Sequence, residues 1–184
     1  MITASARISV LGLGNVLFGD DGFGPFVIQS LRAGWDFPQN VCLVDVGTPG
    51  LDLVTYFQGT DMVFLIDAVG GSGVPGELRL YRGRELKQMQ PKPRVSPHDP
   101  AVLETLLIAE LAGDGPHDIL LVGVIPRSLD LGVGLSAAVR EAAAAASELV
   151  VRELANAGAD PVPRHRPDTP DVWWMRGPTL PDRS

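Results

Sequence analysis

The chain has 184 residues, 45% of them apolar and 20% charged, which suits one globular domain with its own core. With 22 acidic against 15 basic residues and a formal charge of −7, it carries no basic cluster to track a phosphate backbone, which argues against nucleic acid as a partner. Cys42 has no second cysteine to pair with, no signal-like apolar core opens the chain, and no run approaches the roughly 18 residues of a membrane span. The expectation is a cytoplasmic protein without membrane contact.

Residues 7–12 read as a buried strand, and residues 22–31 place Phe23, Phe26, Val27 and Leu31 at helical spacing. Between them lies a glycine-rich loop ending in Asp20-Asp21. Residues 41–46 form a second strand closed by the turn Gly47-Thr48-Pro49-Gly50, with a short helical stretch through Leu53 and Tyr56. The third strand, residues 62–66, stops at Asp67. Residues 76–81 alternate apolar and charged side chains, as an exposed or edge strand does. From Asp99, a capping residue followed by Pro100, a helix presents Val102, Leu103, Leu106, Leu107 and Leu111 as its apolar stripe. Residues 119–124 are the fifth strand, and residues 136–157 the last helix, ended by Gly158. Strands alternating with helices predict an α/β fold, a largely parallel sheet covered on both faces. The domain is expected over 1–158. The proline-rich segment 159–184 reads as a mobile tail, within which Trp173-Trp174 could dock on the domain or on a partner.

Three residues stand at strand ends or helix starts: Asp21, Asp67 and His98. In a single parallel sheet they would converge at its carboxyl edge, where open α/β folds place their chemistry. Asp20 and Asp21 both enter the first helix, where one carboxylate suffices as a cap and the other is available for other work. Asp67 follows five apolar residues, so its charge needs a hydrogen bond, an ion pair or a metal. Of the three histidines, His117 lies in a turn and His165 in the tail, both expected to be solvated, whereas His98 is held between Pro97 and Pro100. Two carboxylates and an imidazole suit nickel, zinc, iron or manganese. Cys42, inside a strand, reads as core packing. A dinucleotide fingerprint fails because Leu17 stands at its third glycine, although Asp45 at a strand end could mimic the ribose-binding acid. No Gly-x-Ser-x-Gly elbow supports a serine nucleophile.

Taken together, the loop from Gly12 to Gly24, the turn Gly47-Thr48-Pro49-Gly50, Ile66-Asp67-Ala68, Ser96-Pro97-His98 and Gly123-Val124-Ile125-Pro126 resemble, in order and spacing, the hydrogenase maturation endopeptidases. The resemblance covers residues 7–160. It implies a three-layer α/β/α fold around a twisted, mainly parallel five-stranded sheet. It also implies an endopeptidase that removes the C-terminal peptide of a [NiFe]-hydrogenase large-subunit precursor after nickel insertion. Asp21, Asp67 and His98 would then be both the catalytic residues and the contacts to nickel, a metal carried by the substrate and replaceable by another divalent ion. Asp20 becomes the helix cap. Some relatives have glutamate at the position of Asp21, and the tail is longer than the family core requires. A non-catalytic chaperone that senses nickel in the large subunit would need the same ligands.

Overall fold

The structure, a computed structural model, describes residues 6–88, 99–113 and 115–176. Three strands, β1 (Ile8–Leu13), β3 (Val41–Gly47) and β4 (Met62–Ala68), run parallel with β6 (Asp118–Val124), and β5 (Leu78–Arg82) closes the far edge antiparallel to β6. The strand order is β3-β1-β4-β6-β5. The inner strands carry apolar side chains in both directions because both faces of the sheet are covered, the pattern of a parallel sheet between helices.

On one face, α1 (Phe23–Gly34) and α4 (Ala137–Asn156) pack Phe23, Ile28, Leu31, Val139 and Val150 against Val10, Phe64, Ile66 and Val122. The other face is covered by the 3-10 segment Gly50–Tyr56, by α2 (Gly83–Gln88) and by α3 (Asp99–Ala112), whose Leu53, Leu86 and Leu106 meet Leu11, Val63, Leu65 and Leu121. The expected mainly parallel, five-stranded α/β sheet is what the chain forms. Among the described residues no helix is long and apolar enough to cross a membrane.

Three expectations are corrected. The apolar stripe of α3 is corrected in part: Leu106 is buried as expected, beside Thr105 and Ala109, whereas Leu107 and Leu111 face solvent with Ile108, Leu111 being 89% exposed; the side chains of Val102 and Leu103 lie outside the described residues. This helix packs on the Gly50–Tyr56 segment. Cys42 is exposed rather than packed in the core, on β3, which is the edge strand of the sheet. The tail does not leave the domain at residue 159. The short strand β7 (Val162–Pro163) pairs antiparallel with β2 (Trp35–Asp36), which follows α1. Arg164 and Asp168 donate their backbone N–H groups to Gly34 and Ala33, and the Arg164 guanidinium pairs with Asp36 and Asp168. Farther on, a 3-10 turn over Trp173–Met175 buries Trp174. Trp173 stands edge-on to it, ring centroids 5.7 Å apart, and remains 62% exposed.

Candidate functional site

The loop after β1 is shaped by glycine. Gly14 has φ +125°, and a Cβ there would lie 1.8 Å from the carbonyl oxygen of Asp21, so only glycine lets the loop close on itself. The next residue, Asn15, donates its backbone N–H to Asp21 Oδ2 at 2.7 Å and accepts the N–H of Leu17 on its side-chain oxygen. Asp20 and Asp21 lie in a 3-10 turn, Gly19–Gly22, that runs directly into α1. Both carboxylates are buried, each only 1% exposed.

Helix α1 begins against the sheet at Gly24. A Cβ at this position would sit 2.2 Å from the carbonyl oxygen of Leu13 and 2.4 Å from that of Ile66. The start of α1 is thereby pressed onto the carboxyl ends of β1 and β4, and the turn bearing Asp21 packs against β4. The next-to-last residue of β4 is Asp67, opposite Gly123 of β6 and 2% exposed. Its Oδ1 accepts the N–H of Ala68 at 2.8 Å. Asp21 and Asp67 thus stand on touching elements at one edge of the sheet, each oriented by a backbone donor. Hydrogen bonds of this kind are what buried carboxylates require.

His98 lies outside the described residues; it immediately precedes Asp99, the first residue of α3. Among the described residues alone, no group of three or more His, Cys, Asp or Glu side chains is placed to hold a metal. His117 and His165 are exposed, as their sequence setting indicates. Asp45, half-buried at the end of β3, accepts the Gly47 N–H at 3.2 Å. Burial pushes its carboxyl above the usual range, against the opposing pull of that hydrogen bond and of Arg32.

Asp20 does not cap α1. The cap position of that helix is Gly22, with no side-chain hydrogen bond. Instead the Asp20 carboxylate accepts the backbone N–H groups of Arg127 (2.8 Å), Ser128 (3.3 Å) and Ser136 (2.6 Å) together with the Ser136 hydroxyl (2.9 Å). Ser136 is the N-cap of α4, and its hydroxyl serves Asp20 rather than its own helix. A carboxylate at this helix start is favoured by the helix dipole as well as by its hydrogen bonds. Sequence reasoning missed this clamp and gave no individual role to Asn15 or Gly24, although both fall in the glycine loop that carries the resemblance. The hints were available in the Gly14-Asn15 pair beside two aspartates and in a serine at the start of the last helix.

The fold defines an α/β protein with two buried carboxylates, Asp21 and Asp67, on touching elements at the carboxyl edge of its sheet. The profile of a hydrolase family, HycI, hydrogenase maturation protease, matches residues 25–153. The chain is 35% identical over 165 residues to the hydrogenase expression/formation protein HupM of Azotobacter chroococcum, covering 89% of this chain and 79% of that one. It is 31% identical over 159 residues to the hydrogenase 2 maturation protease of Escherichia coli, covering 86% of this chain and 96% of the relative. Among solved structures it resembles the hydrogenase maturating endopeptidase HybD from Escherichia coli, with a TM-score of 0.81, 31% identity, and coverage of 86% and 98% of the two chains. The chain belongs to the hydrogenase maturation protease family.

Proposed function

We propose that this protease removes the C-terminal peptide from the precursor of a [NiFe]-hydrogenase large subunit once nickel has been inserted, reading that nickel through Asp21, Asp67 and His98. The observation that supports the reading is the pair of buried carboxylates, Asp21 and Asp67, on touching elements at the sheet edge of a hydrogenase maturation protease. The oxygens of both are oriented by backbone N–H groups, from Asn15 and Ala68, so their geometry is set before a substrate arrives. An imidazole from His98 would complete a mixed oxygen and nitrogen donor set suited to nickel. Nickel held by the substrate supplies Lewis-acid polarisation of a carbonyl or of water. The protein's own part is to bind the substrate's metal and to hold the extended peptide against the glycine loop, where small residues permit close backbone approach.

The test is incubation of the purified protein with nickel-loaded and nickel-free precursor, followed by mass spectrometry. The wild type is expected to shorten only the loaded precursor. Asp67→Asn, which keeps an acceptor for the Ala68 N–H, and His98→Ala are expected to fold and to leave the precursor uncut. Full trimming by either folded variant would overturn the site assignment. A stable complex without peptide loss, formed by the wild type, would fit the chaperone instead.

A further inference from the structure

Leu17 and Phe18 precede Asp21 in the same loop and are exposed, and the Phe18 carbonyl accepts the backbone N–H of Asp21. Phe18 forms a parallel bridge with Gly132, while Gly132 donates to the Leu17 carbonyl and accepts from Gly19. The loop of residues 127–135 is thus sewn to the loop of the acidic site. On either side of Gly132 it exposes Leu131, 80% accessible, and Val133. Gly134 lies against the tail: a Cβ there would be 3.5 Å from Met175 Cε. Met175 and Trp173 are exposed in turn, the latter braced on the buried Trp174.

Three chain segments therefore supply one apolar shelf, made of Leu17, Phe18, Leu131, Val133, Trp173 and Met175, that starts beside Asp21 and runs outward to the tail. Contiguous exposed apolar surface of this kind marks an interaction site. Arg127 and Arg140 are exposed along the same loop and the adjoining first turn of α4 and make no ion pair among the described residues, in a chain whose net charge is −7.

We infer that this shelf holds the folded body of the large-subunit precursor while its C-terminal segment enters the acidic site. The inference rests on the reading given under Proposed function. Leu17 and Phe18 are the exposed residues of the loop that carries Asp21, so a protein that brings a group to Asp21 comes close to them. The shelf continues that contact over Leu131 and Val133 and onto Trp173 and Met175. The last two lie beyond residues 25–153, the part matched by the family profile, so the tail enlarges the docking face. The surface that fits is apolar at its centre, with carboxylates or carbonyl groups toward Arg127 and Arg140.

Cleavage kinetics on nickel-loaded precursor test this. Leu131→Glu, and separately Trp173→Ser with Met175→Glu, are expected to raise KM about tenfold or more, as loss of an interface anchor does, with kcat within about twofold of wild type and unchanged melting temperature. In an Asp67→Asn background the same changes should abolish retention of the uncut precursor on the immobilised protein. Unchanged KM and undiminished retention in both shelf variants would overturn the inference. So would sedimentation showing a wild-type dimer that these substitutions dissolve, since the shelf would then belong to a second copy of the chain. Failure of the wild type to cut at all would instead strike the proposed function.

Discussion

At the residue scale Asp20 and Asp21 are neighbours with different partners: Asp21 accepts the N–H of nearby Asn15 and is assigned to the proposed site, while Asp20 is engaged with residues late in the chain. Asn at position 20 would turn an NH2 group toward at least one N–H that the carboxylate now accepts. Leaving buried donors without acceptors costs on the order of 3 kcal/mol. For a chain of this size Asp20→Asn should lower the melting temperature by about 6–12 °C, measured by thermal circular dichroism. An unchanged transition would deny the clamp its role. Asp67 was legible as a candidate because charge placed directly after an apolar run demands an explanation, and Asp21 because two adjacent carboxylates at a helix start are one more than a cap needs. The clamp was not, because its partners are 107 to 116 residues away in sequence and no local pattern encodes them.

At the scale of elements the start of α1 depends on Gly24, where a methyl group would meet the backbone of both β1 and β4. Gly24→Ala should cost about 1–3 kcal/mol through overpacking, seen as a lower urea midpoint. Gly34→Ala at the other end of the same helix meets nothing within 4 Å and should leave the midpoint unchanged or raise it slightly. Equal destabilisation by both would contradict the close approach. The inner strands were readable because burial on both faces makes an unbroken apolar run. In the stripe of α3 Leu106 was read correctly and Leu107 and Leu111 were not, since the sequence is apolar on adjacent faces and packing against Gly50–Tyr56 selects Thr105, Leu106 and Ala109. Strands of two residues, such as β2 and β7, carry no periodicity at all.

At the scale of the whole molecule the tail through residue 176 is part of the domain. Backbone amides of Arg164 and Asp168, which bond to Gly34 and Ala33, should show hydrogen exchange slowed well below the rate of a free chain. Exchange of these amides at the free-chain rate, read by mass spectrometry of peptic fragments, would restore the mobile tail that the prolines suggest. Those prolines mislead because they forbid helix without forbidding a docked, extended path. The Trp pair divides between the two fates considered for it: Trp174 docks, and Trp173 looks outward.

The Asp20 clamp also gives the molecule a direction in time. Its carboxylate lies in the first tenth or so of the chain, and its last partner, Ser136, emerges from the ribosome 116 residues later. The Arg127 and Ser128 amides come first and the start of α4 last, and closing so long a loop is among the slower contacts a chain makes. A nascent protease therefore carries its first carboxylates for most of its synthesis without the framework that fixes them. The framework around the Asp20 carboxylate is complete only after about three quarters of the 184 residues have been made.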